Sequence, residues 1–188
     1  DAATLQGWLA ATMADGAGFC DAVFFTQAHR AIAAQDDKHL RAVAELSAAF
    51  APSKERHLET TAQGRAFIEA TRAAWPCHAL DTLAKTWDGS VTYPVAVGVT
   101  AAGHSIAADV ALHAYLHAVA ANWISAGVRL IPLGQTDGQR VLAAMEATIA
   151  KTAARARTAT LEQAASGTWR ADIAGMRHET QYTRLFRS

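Results

Sequence analysis

The sequence predicts an all-α protein, built as a single-domain helical bundle of about eight to ten helices. Forty-six of its 188 residues are alanine, the residue with the highest intrinsic helix propensity. Apolar residues recur at helical spacing along most of the chain, and the alternation that is typical of strands is almost absent. Short breaks at glycine, proline or aspartate separate these segments, which indicates many helices of moderate length.

Three helices are predicted in the first part of the chain. Apolar residues recur at helical spacing over residues 4–14, and an Asp-Gly pair at 15–16 ends that pattern. A second helix is predicted over Phe19–Ala34. The third begins after two aspartates at 36–37, because an aspartate side chain can accept a hydrogen bond from a free backbone N–H at a helix start.

Two further helices are predicted around a proline break. Ser53 follows Pro52 and can cap a mostly charged helix with the sequence KERHLETTAQGRAFIEATRAAW, which Pro76 ends. We expect one face of this helix to be solvated. A shorter helix is predicted over Cys77–Trp87, and the Asp-Gly-Ser sequence at 88–90 predicts a turn.

The segment YPVAVGVTAAGHS at 93–105 is ambiguous from sequence alone. Its valines favour a strand, whereas its closely spaced small residues suit a tightly packed helix. No partner strand is evident elsewhere in the chain. We therefore predict a helix.

A long central helix is predicted over residues 106–127, with Ser105 as its N-cap. This helix is apolar on nearly all sides, so we expect other helices to surround it. After a break at 132–134, Thr136 with Gln139 three residues later predicts a capping box that opens a helix over 136–156. A short helix and a loop are predicted in the following sequence, TATLEQAASGTWRADIAG.

Composition argues against two classes of function. Seventeen basic residues balance seventeen acidic ones, whereas a dedicated nucleic-acid binder needs a strong basic field. The longest apolar run, at 106–128, contains Asp109, His113, His117 and Asn122, and a bilayer would penalise these groups heavily. Neither nucleic-acid binding nor a membrane span is predicted.

Cysteine usage indicates a reducing compartment. Cys20 and Cys77 are the only cysteines, and their spacing fits no metal site. Asp1 opens directly into an amphipathic stretch, so no signal peptide is evident. A cytoplasmic protein is the simplest expectation.

Two histidines could suggest a metal site. His113 and His117 stand four residues apart on the central helix, which is the spacing that lets two imidazoles share a metal ion. The pair lacks the glutamate of an HExxH motif, and the sequence fixes no third ligand. Histidines of central helices also serve as hydrogen-bonded structural residues. We predict a structural role, with no metal site and no bound cofactor.

No catalytic motif is evident. The chain has no GxSxG, and neither cysteine belongs to a known nucleophile signature. The sequence GQTDGQR at 134–140 places two glycines near a helix start, but it lacks the Lys-Ser/Thr pair of a phosphate-binding loop. We predict a protein that is not an enzyme, and a small helical enzyme assembled from distant residues remains the alternative.

The last twelve residues, RHETQYTRLFRS, concentrate the side chains that dominate binding at interfaces. If this segment is helical, Tyr182, Leu185 and Phe186 share one face at i, i+3 and i+4, with arginines beside them. That is the layout of a helix that lies in a partner's groove. The alternative is a last helix that docks on its own domain. We favour a helical domain at 1–175 followed by a partner-binding tail at 176–188.

Several segments resemble one protein family. The ending GMRHETQYTRLFRS is similar to the endings of the UreF family of urease accessory proteins, and RLIPLGQTDGQRVL at 129–142 resembles the family's "KLVPLGQ…GQR" stretch. YPVAVGV and QGRAF resemble two further family signatures, in the family's order. The family's usual glycine-rich "GGFSYSHGLE" segment has no counterpart here, so we expect a chain that is shortened at its N-terminus relative to the family.

The resemblance implies an all-α, usually dimeric cytosolic protein with no chemistry of its own. Proteins of this family bind UreD, also called UreH, recruit the GTPase UreG, and help to load nickel into apo-urease. The family's C-terminal segment is implicated in docking UreD. The partner-contact residues implied by this resemblance are Arg177, His178, Glu179, Gln181, Tyr182, Arg184, Leu185, Phe186 and Arg187.

The sequence leaves two questions open. A contribution to GTP hydrolysis by UreG would need an arginine or glutamine near the partner's γ-phosphate, and Arg65, Gln135 and Arg140 are the candidates. The alternative function is a metallochaperone that binds nickel directly through His113, His117 or His178.

Overall fold

The computed structural model describes residues 1–182, and within that range it contains nine α-helices, one short 3₁₀ helix and no strand. The all-α prediction is confirmed, and the number of helices lies in the predicted range. The helices are α1 (Ala2–Asp15), α2 (Ala17–Ala33), α3 (Asp37–Ala49), α4 (Lys54–Ala74), α5 (His78–Thr86), α6 (Tyr93–Gly103), α7 (Ala108–Leu130), α8 (Gln135–Ala156) and α9 (Trp169–His178).

Two predicted N-caps are confirmed. The Asp36 carboxylate accepts the backbone N–H of His39 at 2.9 Å, and the Ser53 hydroxyl accepts that of Arg56 at 3.1 Å. Each bond satisfies one of the backbone N–H groups that a helix start leaves without an internal partner. The ambiguous YPVAVGV segment is helical, as predicted, and forms most of α6.

Ser105 does not cap the central helix, contrary to the prediction. It lies beyond the end of α6 with φ of 57°, and α7 begins only at Ala108. The Ser105 N–H donates to the Ala102 carbonyl at 2.9 Å, and the Ile106 N–H donates to the Ala101 carbonyl at 2.9 Å. This is the hydrogen-bond pattern of a Schellman motif, so the serine ends one helix instead of starting the next.

Gln35 ends α2 in the same way. Its φ is 55°, its N–H donates to the Ile32 carbonyl at 3.1 Å, and the Asp36 N–H donates to the Ala31 carbonyl at 2.8 Å. Glycine is the usual residue at this position because a side chain in the left-handed region costs about 1–2 kcal/mol. The site therefore carries local backbone strain.

The capping box predicted at 136–139 is also wrong. Helix α8 begins at Gln135, and its N-cap residue is Gly134, which has no side chain to accept a hydrogen bond. A capping box forms instead at Thr160 and Gln163, where the Gln163 amide oxygen accepts the Thr160 N–H at 2.8 Å. The Thr-x-x-Gln pattern occurs at both places, and the path of the chain decides which copy is used.

The chain divides into two compact units. The first contains residues 1–23 and 109–168, and in it α1 packs against α8. Its buried side chains include Met13, Leu112, Leu116, Met145 and Ile149.

A cation closes the corner between α1 and α2 within the first unit. The Arg155 guanidinium lies 3.8 Å from the centroid of the Phe19 ring. It also pairs with the Asp15 carboxylate at 3.2 Å and contacts the Ala14 carbonyl oxygen. One side chain of α8 therefore satisfies both the charge and the free carbonyl at the end of α1.

Helix α7 is buried on one side only, although its sequence predicted burial all round. Leu112 and Leu116 are buried, whereas Val110 and Ala118 are exposed. Much of the apolar character of this helix comes from alanine, and a single methyl group loses little free energy when it meets water. No helix within residues 1–182 combines the length and the apolar content needed to cross a membrane.

The second unit contains residues 24–108 together with 169–182 of the described chain. In it α4 and α5 both pack against α6, and α9 packs against α4. Its buried side chains include Phe25, Leu40, Leu80, Leu83 and Val95.

Two glycines allow backbone segments of the second unit to approach closely. A Cβ atom on Gly98 of α6 would lie 2.5 Å from the Phe25 carbonyl oxygen, and one on Gly64 of α4 would lie 2.2 Å from the Val91 carbonyl oxygen. Both distances are far below van der Waals contact, and both neighbours are backbone atoms that cannot rotate away. Any side chain at these positions would separate the packed segments.

An aromatic pair joins the QGRAF and YPVAVGV segments. The rings of Phe67 and Tyr93 pack edge to face, with centroids 5.7 Å apart and an interplanar angle of 79°. The Thr60 hydroxyl accepts the Tyr93 backbone N–H at 3.2 Å. Burial raises the pKa of the Tyr93 phenol because it disfavours the charged phenolate.

Candidate partner-binding site

Helix α9 exposes an apolar face at the end of the second unit. None of its residues is fully buried. Trp169, Ile173 and Met176 follow one another at i, i+4 and i+7, so they share one side of the helix. Trp169 is 70% exposed, and Ile173 and Met176 are about half exposed. These three side chains are called the α9 apolar face below, and exposed apolar faces of this kind mark interaction sites.

Two arginines flank this apolar face. Arg170 and Arg177 are both exposed, and neither guanidinium forms an ion pair or a hydrogen bond with another residue in the described part of the chain. Arginine and tryptophan are enriched among the residues that contribute most to protein–protein binding. The combination suits a partner surface that is apolar in its centre and acidic at its edge.

The C-terminal end of α9 is tied to the N-terminal end of α4. His178 Nδ1 lies 2.6 Å from Glu55 Oε2, and Glu179 Oε1 accepts the backbone N–H of Lys54 at 2.6 Å. A Cβ atom on Gly175 would lie 3.8 Å from the Ser53 hydroxyl oxygen. We call this pair of polar contacts the α9–α4 junction. Two residues predicted as partner contacts therefore have partners within their own chain.

The two described contact residues that follow the junction, Gln181 and Tyr182, are open to solvent. Tyr182 is 97% exposed, and Gln181 is also exposed. The Gln181 N–H donates to the His178 carbonyl at 3.1 Å, which forms a turn directly after α9. The other predicted contacts, Arg184, Leu185, Phe186 and Arg187, lie outside the described residues.

Arg65 borders a groove on α4. The groove has a volume of about 310 Å³, runs between α4 and the loop at 89–91, and includes Leu58, Ile68 and Glu69 in its lining. The Arg65 guanidinium is exposed and forms no ion pair with any of residues 1–182. A free cation beside a partly apolar groove is available to a partner protein.

The other two candidates for contact with a GTPase lie at the start of α8, in the first unit. Gln135 and Arg140 are both exposed. Arg140 pairs with Asp137 at 3.1 Å within the same helix, so its charge is partly matched. Arg65 belongs to the second unit. Unlike the guanidinium of Arg140, that of Arg65 forms no ion pair with any of residues 1–182.

His113 and His117 both face one carboxylate. His113 Nε2 lies 2.6 Å from Glu146 Oε1, and His117 Nδ1 lies 3.5 Å from Glu146 Oε2. This geometry ties α7 to α8 and fits the structural role predicted for the two histidines. Within residues 1–182, no three His, Cys, Asp or Glu side chains are arranged to hold a metal ion.

Sequence reasoning missed the α9 apolar face and both α4 residues of the junction. The face could have been found, because a tryptophan, an isoleucine and a methionine stand at helical spacing in TWRADIAGM. The junction could not, since His178 and Glu55 are 123 residues apart in the chain.

Comparison with known proteins identifies clear relatives. The model of the UreF family matches residues 1–146. Three proteins named urease accessory protein UreF align with the whole chain: one from Bradyrhizobium sp. strain BTAi1 at 62% identity, and two from Rhodopseudomonas palustris, strains BisA53 and BisB5, at 57% and 58%. The chain covers 78%, 79% and 77% of these relatives, respectively.

Proposed function

The chain belongs to the UreF family of urease accessory proteins, and from that premise we propose that it acts as a scaffold in urease maturation. It binds UreD, also called UreH, and recruits the GTPase UreG to apo-urease in the cytoplasm. Nickel is the cargo of the complex, and this chain contributes binding surfaces rather than chemistry. Its first interface is α9 together with the tail at 176–188.

The observation that supports this proposal is the α9 apolar face with its two arginines. A helix that contributes no buried residue to its own unit gains little from intramolecular packing. Three large apolar side chains and two unmatched cations on such a helix are better explained by a second protein. Burial of the apolar side chains would drive association, and the arginines would orient the partner.

The test is capture of purified UreD by the full chain and its variants. We expect binding to be lost on deletion of Met176–Ser188, and also on simultaneous replacement of Trp169, Ile173 and Met176 by serine. Trp75→Ser is the matched control, because Trp75 is 71% exposed in the same unit but lies at the end of α4. Undiminished capture by the deletion variant, with its helical circular dichroism intact, would refute the proposal.

The tail offers a second comparison between apolar and electrostatic contacts. If apolar anchors dominate, Tyr182→Ala combined with Phe186→Ala weakens UreD binding more than Arg187→Ala does. The reverse order would show that the contact is mainly electrostatic.

For UreG we propose the α4 groove as the contact region, because Arg65 is unmatched there. Arg65→Ala is expected to reduce the UreG retained by a preformed complex with UreD, whereas Arg140→Ala is not. Equal effects of the two substitutions would exclude the groove as the specific contact.

We propose further that two copies associate, with the exposed side of α7 as the surface that they share. Val110 and Ala118 on that side are apolar, and a two-fold interface would bury the same patch of both copies. Sedimentation equilibrium checks this point, because Val110→Glu is expected to shift a dimer to the monomer.

Direct nickel binding through histidines remains the alternative, and equilibrium dialysis of the isolated chain against nickel separates the two functions. Tight binding of one nickel ion per chain would favour the alternative. We expect none, because no three His, Cys, Asp or Glu side chains among residues 1–182 are arranged to hold a metal ion.

A further inference from the structure

We propose that His178 and Glu179 act on partner binding through α4, by fixing the point from which the rest of the tail, from Thr180 onward, leaves the unit, and that they do not touch the partner. This inference rests on the proposed function of the tail. The observation that carries it is the α9–α4 junction, in which both side chains already have partners within the chain.

Glu179 acts as an additional cap for α4. A helix leaves its first four backbone N–H groups without internal acceptors, and Ser53 satisfies only that of Arg56. The Glu179 carboxylate accepts the Lys54 N–H at 2.6 Å. A negative charge at this end also interacts favourably with the helix dipole. The interaction therefore uses one oxygen of the carboxylate for α4.

His178 forms the second contact of the junction. Its Nδ1 atom lies 2.6 Å from Glu55 Oε2, and the two side chains are only 35% and 20% exposed. Partial burial makes such a pair less screened by solvent than a surface ion pair. The contact with Glu55 occupies Nδ1 and holds the imidazole ring in one position against α4.

The two contacts together restrain the direction of the chain after α9. They come from consecutive residues and meet consecutive residues in the first turn of α4, so they fix both the position and the rotation of the helix end. Tyr182 follows three residues later and is almost fully exposed. A tail that starts from a fixed point loses less conformational entropy on binding than a free one. The junction is thus a positioning device for the tail.

Direct contact and positioning make different predictions for Glu55. If His178 touches the partner, Glu55→Ala leaves UreD affinity unchanged or improves it by freeing the imidazole. If His178 acts through Glu55, both Glu55→Ala and His178→Ala weaken binding, by about three- to tenfold each. Both changes break the same contact. The UreD affinity of the double variant is therefore expected to be no lower than that of the single variant with the lower affinity.

Glu179 provides an independent test through a conservative substitution. The amide oxygen of Glu179→Gln can still accept the Lys54 N–H, so we expect this variant to bind UreD within about twofold of the wild type, whereas Glu179→Ala weakens binding. If Glu179 meets a cation of the partner instead, removal of the charge alone abolishes its contribution, and the two variants behave alike.

The experiment is titration calorimetry of full-length variants with UreD. Glu59→Ala is the matched control, because Glu59 lies one turn further along α4 and pairs with Arg56 of the same helix at 3.1 Å. Wild-type affinity of Glu55→Ala, or effects of Glu55→Ala and His178→Ala that multiply in the double variant, would overturn the inference. If the deletion of Met176–Ser188 binds as the wild type does, the proposed function itself fails and this inference fails with it.

Discussion

Replacement of Trp169 by alanine tests whether the α9 apolar face meets a partner. The indole is 70% exposed on a helix that has no buried residue. Its removal therefore takes away little intramolecular packing, and the stability of the isolated chain should change by less than about 0.5 kcal/mol. The effect is expected in the complex instead, where the ring would become buried.

The size of the effect follows from the exposed area. A tryptophan can bury roughly 200 Å², so the 70% that is exposed here leaves about 140 Å² available to a partner. At about 25 cal/mol per Å² this area contributes about 3.5 kcal/mol. Fixing the indole in the complex costs about 1 kcal/mol of conformational entropy, which offsets part of this gain. The remainder, about 2.5 kcal/mol, corresponds to a Kd that is roughly seventyfold higher in Trp169→Ala.

Titration calorimetry with purified UreD measures this change directly. Trp75→Ala is the control for loss of an exposed indole in the same unit, since Trp75 is 71% exposed. We expect the control variant to bind within about twofold of the wild type. A change of less than threefold in Trp169→Ala, with normal folding, would show that the ring stays in solvent in the complex and that the α9 apolar face is not the interface.

Three further predictions concern the fold. Gly98→Ala is expected to lower the free energy of unfolding by about 3 kcal/mol in urea denaturation, because overpacking against a backbone atom must move the chain. Gly7→Ala is the control, since a Cβ atom there meets nothing within 4 Å, and it should leave the free energy of unfolding unchanged or higher. Equal effects of the two substitutions would contradict the packing argument. Gln35→Gly should raise the free energy of unfolding by about 0.5–1 kcal/mol by relieving the left-handed strain, and a lower melting temperature would contradict this. Burial raises the pKa of Tyr93, so the phenol loses its proton at a lower pH in the unfolded chain than in the folded one. The free energy of unfolding is therefore unaffected below pH of about 10 and falls as the pH rises beyond it. Tyr93→Phe should show a shallower fall, and a pH profile identical to that of the wild type would exclude Tyr93 as a cause.

The sequence correctly predicted the helix starts at which a neighbouring side chain caps the helix. Asp36 and Ser53 cap their helices because each is followed within three residues by an N–H that its own side chain can reach. Ser105 failed as a predicted cap because two backbone hydrogen bonds at the end of α6 hold it in the left-handed region. A side chain that can cap a helix does so only if the backbone enters the helix at that residue.

The candidate site shows the same limit of local signals. Residue type and helical spacing predict Tyr182 as a partner contact, and the structure shows only that its side chain is exposed. His178 and Glu179 look equally suited to a partner in the sequence, yet both are engaged by α4. Their partners lie more than a hundred residues away, and no periodicity or composition rule reaches across that distance.

Three of the segments that resemble the UreF family divide into two physical kinds. Gly64 in QGRAF and Gly98 in YPVAVGV are required by backbone atoms at 2.2 and 2.5 Å from the position of a Cβ atom, so these segments are explained by packing within one unit. Tyr182 and Arg177 in the terminal segment have exposed side chains. Substitutions of the two glycines should therefore lower stability and binding together, whereas those of exposed terminal residues such as Tyr182 should lower binding alone. Stability and UreD affinity measured on Gly64→Ala and Tyr182→Ala would separate the two kinds, and a loss of stability in Tyr182→Ala would place that residue with the packing segments.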